Sequence, residues 1–134
     1  MLNVLVVDDE QILLRVLERL LKTRSFEVRT ATNVPDALNL TKQFKPDILV
    51  TDFNLNAPQD GLDLCRAFAQ TPELSRARRI LISGQASQLT GQGTLFDTFL
   101  AKPFTSQEFL KVLDQLLTVP FPDGKLLAQC DNSH

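Results

Sequence analysis

Asn3-Val-Leu-Val-Val-Asp-Asp-Glu10 decides how the rest of the chain reads. An apolar run without alternation suits a central parallel strand covered on both faces. It then stops at two aspartates. Three later stretches repeat the plan. Ile48-Leu-Val-Thr-Asp52 ends in an acid, and Ile80-Leu-Ile-Ser83 ends in a hydroxyl. A fifth strand near Thr98 to Ala101 is followed by Lys102-Pro103. If these strands are parallel, their C-terminal ends share one rim, the place where ligands bind in open α/β sheets. Asp8, Asp9, Asp52, Ser83 and Lys102 would converge there.

Helix signals fill the gaps. Gln11 to Thr23 is one helix, with Ile12, Leu13, Val16, Leu17, Leu20 and Leu21 as an apolar stripe at helical spacing. Phe26 to Ala31 alternates like a half-exposed edge strand. Asn33 caps a second helix that carries Pro35 in its first turn, and Lys45-Pro46-Asp47 ends it. Asp60 caps a third, with Leu64, Cys65 and Phe68 inward. Thr105-Ser-Gln-Glu108 is a capping box for the last helix, flanked by Phe104 and Phe109 as a hydrophobic staple. Leu110, Leu113, Leu116 and Leu117 continue its apolar face. Gly84 to Gly93 holds three glycines and few apolar residues, so the fourth helix is expected to be short or irregular. Arg76, Arg78 and Arg79 precede the fourth strand and read as a solvated loop at the far end of the sheet.

Five βα units imply an α/β fold: a doubly wound, five-stranded parallel sheet with right-handed crossovers. The chain has 134 residues, with 43% hydrophobic and 22% charged, values ordinary for one soluble domain. Residues 1–117 read as that domain and residues 118–134, with Pro120, Pro122 and Gly124, as a tail or linker. No run is long enough to cross a membrane and no leader is visible, so a cytoplasmic location is expected. Cys65 and Cys130 form no disulfide framework or zinc pattern. The one histidine is His134, which leaves no His-based triad or histidine metal cluster. A net charge of −2 gives no pull toward nucleic acid.

Three carboxylates brought close together repel, and a hard divalent cation such as Mg²⁺ relieves that repulsion. Asp9 reads as a direct metal contact and Asp8 as a direct or water-mediated one, with the Asn54 backbone carbonyl completing the shell. Asp52 is the candidate nucleophile, because a carboxylate can form an aspartyl-phosphate. Lys102 supplies a cation and Ser83 a hydrogen-bond donor for the transferring oxygens. Taken singly, each residue has a plainer role. Asp8 or Asp9 can cap a helix, Asp52 and Ser83 can begin turns, and Lys102 can be a surface charge. Their joint placement after strands one, three, four and five argues against those separate roles.

These residues resemble the receiver domains of two-component response regulators. The matching pieces are Val6-Val-Asp-Asp-Glu10, Asp52, Asp60-Gly61, Ser83-Gly84 and Lys102-Pro103-Phe104, spread over roughly Met1 to Leu117. The resemblance implies a flavodoxin-like topology with strand order 2-1-3-4-5. It implies that Asp52 accepts a phosphoryl group from a sensor histidine kinase or a histidine phosphotransfer protein. Mg²⁺ would be held through Asp8, Asp9, Asp52 and the Asn54 carbonyl, and Ser83 and Lys102 would contact the phosphoryl oxygens. Phe99 matches an aromatic switch position that acts with Ser83. Pro103 matches a cis-proline, and Asn54 and Gln85 match positions that tune dephosphorylation. The implied protein is a signalling phosphoacceptor with slow self-dephosphorylation, not a turnover enzyme, and its domain binds no nucleic acid directly. Phosphorylation-dependent dimerisation and the downstream target are left open. The chain departs from the pattern in a loop after Asp52 that is one residue longer than usual, with Asn56 where proline is common, and in the glycine-rich segment.

The alternatives are a receiver cut from a longer regulator or hybrid kinase, and an aspartate-nucleophile phosphatase of the haloacid dehalogenase type. The latter has its nucleophile after strand one in an Asp-x-Asp pattern that Asp8-Asp9-Glu10 lacks. A flavin-binding protein of the same fold fits less well, since the first loop is acidic and the chain has no Trp or Tyr.

Overall fold

A computed structural model describes residues 2–56, 58–84 and 95–118. The elements run β1 (Asn3–Val7), α1 (Gln11–Thr23), β2 (Glu27–Ala31), α2 (Val34–Leu40), β3 (Ile48–Asp52), α3 (Gly61–Gln70), β4 (Arg78–Ser83), β5 (Thr98–Ala101) and α4 (Ser106–Leu117). The strands form one parallel sheet in the order β2-β1-β3-β4-β5. The expected fourth helix, Gln85 and the tail lie outside the described residues. The helix expected to open at Thr105 is therefore α4.

Period-two alternation divides each strand between two apolar layers. Val4, Val6, Ile48, Val50, Ile80, Ile82 and Leu100 face α1 and α4, where they meet Leu17, Leu21, Phe109 and Leu113. Leu5, Val7, Leu49 and Leu81 face α2 and α3, where they meet Ala37, Leu64, Cys65 and Phe68. Burial on both faces is why β1 and β3 show no alternation in sequence.

Local chemistry sets the helix starts. Asn33 Oδ1 accepts the Asp36 N–H at 2.8 Å at the head of α2. Asp60 and Asp63 form a capping box on α3, and Thr105 and Glu108 form one on α4. The Phe104 and Phe109 rings lie 6.3 Å apart between centroids, as a staple requires.

Two expectations are corrected. The buried face of α1 is Leu14, Leu17 and Leu21, whereas Ile12 is 77% exposed and Val16 42% exposed. A helix this rich in apolar residues offers several stripes, and packing against the sheet selects one. The arginine cluster is not a solvated loop throughout: Arg76 before β4 is exposed, but Arg78 and Arg79 belong to β4 itself. Arg79 is buried, and its guanidinium donates to the carbonyls of Ala77 (3.2 Å), Cys65 (3.3 Å), Leu95 (3.0 Å) and Ser75 (2.9 Å). Its planar fork reaches several acceptors at once, so burial of the charge is compensated.

Candidate functional site

Strand order reverses between β1 and β3, because β1 connects outward to β2 while β3 leads to β4. The crevice outside the carboxyl ends of these strands is the expected ligand position in such sheets. A cleft of about 380 Å³ opens there, lined by Asp9, Glu10, Asp52, Phe53, Asn54, Asn56, Ser83, Gly84 and Lys102. Four of the five rim residues expected from sequence therefore line one cleft. Asp8 lies beneath, almost wholly buried.

Asp8, Asp9 and Asp52 can each present an oxygen within 4.8 Å of the others. Asp8 does not cap α1. The cap position is Glu10, which makes no side-chain cap bond, and the Glu10 N–H donates to Asp8 Oδ1 at 2.8 Å. Asp8 Oδ2 is buried with no hydrogen-bond partner among the described residues. Loss of water pushes the Asp8 carboxyl up from 3.8 to about 6; the Glu10 N–H and Lys102 oppose the rise, and Asp52 and Asp9 add to it. A buried carboxylate oxygen without a donor, beside two more carboxylates, suits a hard divalent cation with oxygen ligands.

Asp52 ends β3 almost fully buried, and Lys102 Nζ lies 3.3 Å from its Oδ2. Burial raises the Asp52 pKa, while the charge of Lys102 and its hydrogen bond lower it. The net shift is upward, and Lys102 is the main influence favouring the anion against it. Its own position follows from the sheet, since its backbone N–H donates to the Ser83 carbonyl at 2.8 Å. The Lys102–Pro103 peptide bond is cis, as the resemblance implied.

Gly61 fixes the start of α3 against the end of β3. Its N–H donates to the Phe53 carbonyl at 2.7 Å. A Cβ there would lie 2.2 Å from the Asp52 carbonyl oxygen and 3.0 Å from Phe53 Cα. Only glycine allows the helix to approach the acid-bearing strand so closely.

Ser83 ends β4 buried at the cleft, and Phe99 lies on β5 with its ring half-exposed. Asn54 lines the cleft, and its Oδ1 accepts the Asn56 N–H at 3.0 Å. The residue that sequence reasoning left without a role is Asn56. Its Nδ2 donates to Asp9 Oδ2 at 2.6 Å. The available signal was an asparagine in a polar loop, a residue type that tolerates positive φ, and Asn56 has φ 50°. Among the described residues, no helix is long and apolar enough to cross a membrane.

The comparisons with known proteins agree with this geometry. A family model described as "Response regulator receiver domain" matches residues 4–114. The phosphate regulon transcriptional regulatory protein PhoB of Rhizobium meliloti (strain 1021) is 28% identical over 124 residues, covering 90% of this chain and 54% of that protein. The chain thus spans about half the length of the curated relatives it matches. Chemotaxis protein CheY4 of Vibrio cholerae superposes with a TM-score of 0.79 at 22% identity, covering 87% of this chain and 99% of that one. The response regulator protein TrrA of Thermotoga maritima, solved in complex with Mg(2+)-BeF, gives 0.76 at 24% identity, covering 87% and 100%.

Proposed function

The chain belongs to the response regulator receiver domain family, and on that premise we propose that Asp52 is its phosphoacceptor. The donor would be a sensor histidine kinase or a histidine phosphotransfer protein. The observation that carries this reading is the single cleft in which Asp52 faces Lys102 at 3.3 Å beside the Asp8–Asp9 pair.

In the proposed reaction an Asp52 carboxylate oxygen attacks phosphorus. The bond from phosphorus to the donor nitrogen breaks, its electron pair leaves with the imidazole, and the ring takes a proton from water. Asp52 is suited to the attack because Lys102 favours its anion against the opposing effect of burial. Lys102 and the Ser83 hydroxyl line the same cleft and would bind the phosphoryl oxygens. Asp8, Asp9 and Asp52, with the Asn54 carbonyl, would hold Mg²⁺, which when bound offsets charge on those oxygens. Asn54 and, outside the described residues, Gln85 would tune hydrolysis of the product. The output would be a surface change through Ser83 and Phe99, and the domain would be a cytoplasmic signalling module and not a turnover enzyme.

The half-length overlap with the curated relatives supports a second reading, in which residues 1–117 are the receiver part of a longer regulator and residues 118–134 begin a linker. Both readings share the same chemistry. Intact mass after incubation with acetyl phosphate and Mg²⁺ tests it. The wild type should gain one phosphoryl group only when Mg²⁺ is present, and Asp52→Ala should gain none. Equal labelling of the two proteins would sink the assignment of Asp52.

A further inference from the structure

The loop between β3 and α3 is tied back to the acid pair by one side chain. Asn56 Nδ2 donates to Asp9 Oδ2 at 2.6 Å, and Asn54 Oδ1 holds the Asn56 backbone N–H at 3.0 Å. The first contact joins the β3–α3 loop to the β1–α1 loop. The second fixes a turn in which Asn56 takes φ 50°, a left-handed conformation that asparagine adopts more readily than most residues. Both asparagines line the cleft.

We propose that Asn56 is a positioning residue that holds Asp9 in the cation-free state and competes with the divalent cation for that carboxylate. This rests on the reading of Asp8, Asp9 and Asp52 as the cation site. The argument is one of shared lone pairs. A carboxylate oxygen that accepts a short N–H bond has less electron density to offer a metal, because the donor occupies a lone pair that a cation would also use. In this proposal the cation takes the Asp9 oxygen that holds the Asn56 amide, and the amide is given up. The loop after Asp52 is released at the same step, so the cation loads the site and frees the loop beside the nucleophile together.

The test uses the whole chain with Mg²⁺ alone, by calorimetry and by NMR of side-chain amides. Asn56→Gly removes the donor and accepts φ 50° without strain; Asn56→Ala removes the donor with some backbone cost. Both should bind Mg²⁺ more tightly than wild type, by about three- to tenfold, the loss of one hydrogen bond from the free state. In the wild type, the Asn56 Nδ2 proton signals should move saturably, with the midpoint found by calorimetry. Unchanged or weaker binding in Asn56→Gly overturns the proposal. So does an Asn56 amide that stays still while the wild type binds Mg²⁺. A wild type without saturable binding, or Asp9→Ala binding as well as wild type, overturns the cation-site reading and this proposal with it.

Discussion

Asp8→Asn should stabilise the metal-free protein at neutral pH, although it removes an acid that the site needs. Asp8 is buried, with Oδ2 lacking a hydrogen-bond partner, and burial pushes its pKa from 3.8 to about 6. A folded-state pKa above the unfolded one means that the folded chain binds this proton more tightly. The stabilisation from that proton is complete below the unfolded value and is lost as pH rises through about 6. At pH 7.5 the ionised acid therefore costs the folded state about 3 kcal/mol, from roughly two pKa units at ~1.4 kcal/mol each. Asparagine keeps an Oδ1 to accept the Glu10 N–H and carries no charge. The variant should gain about 3 kcal/mol at pH 7.5, about half of that near pH 5, and under ~1 kcal/mol near pH 4. Urea unfolding in the presence of a chelator measures this. Circular dichroism is the probe, since the chain has no Trp or Tyr. A variant no more stable than wild type at pH 7.5 would refute the reasoning. A gain that stays constant from pH 5 to pH 8 would also refute it, because the effect would then come from packing and not ionisation.

Two further predictions concern the scaffold. Gly61→Ala would set a Cβ 2.2 Å from the Asp52 carbonyl oxygen, a backbone atom that cannot rotate away, so α3 or the end of β3 must shift. The expected loss is about 2–4 kcal/mol, or roughly 8–16 °C in Tm, with slower labelling of Asp52 by acetyl phosphate; thermal melts within about 2 °C of wild type would count against it. Arg79→Lys should lose a similar amount, because a single ammonium cannot serve the carbonyls of Ala77, Cys65, Leu95 and Ser75 together. A melting temperature equal to wild type would show that those bonds contribute little.

The parts of the fold that were legible in the sequence are those decided within a few residues. Asn33, Asp60 and Thr105 cap helices through bonds spanning three positions, and each was readable as a cap. The β1 and β3 runs, with acids at their ends, are enough to place Asp8, Asp9 and Asp52 at one rim. The misreadings arose where distant residues decide. The apolar residues of α1 allow several stripes, and only the sheet and α4 select Leu14, Leu17 and Leu21 while leaving Ile12 outside. Arg79 looked like surface charge because composition cannot show carbonyls from four separate residues converging on one guanidinium. In sequence Asn56 shows only as a missing proline, since its partner Asp9 lies 47 positions away.

The same geometry explains how charge at the cleft would reach the surface under the proposed function. Burial raises the pKa of both Asp8 and Asp52, and repulsion among the neighbouring acids adds to it, so their charged forms are disfavoured. Lys102 opposes that effect at Asp52, and its backbone N–H is bonded to the Ser83 carbonyl at 2.8 Å. Ser83 pairs with Ala101 in the β4–β5 ladder, and Phe99 pairs with Leu81 two residues earlier on the same strands. Any movement of Lys102 or Ser83 toward a phosphoryl group on Asp52 therefore acts on β5, the edge strand. Phe99 is the large apolar side chain exposed on that strand. A central strand such as β3 is held by neighbours on both sides, whereas among the described residues β5, like β2 at the opposite edge, has a partner on one side only and can shift at lower cost. The signal would thus leave through β5 because, of the two edge strands, it is the one that runs directly into Lys102, the nucleophile's ion-pair partner.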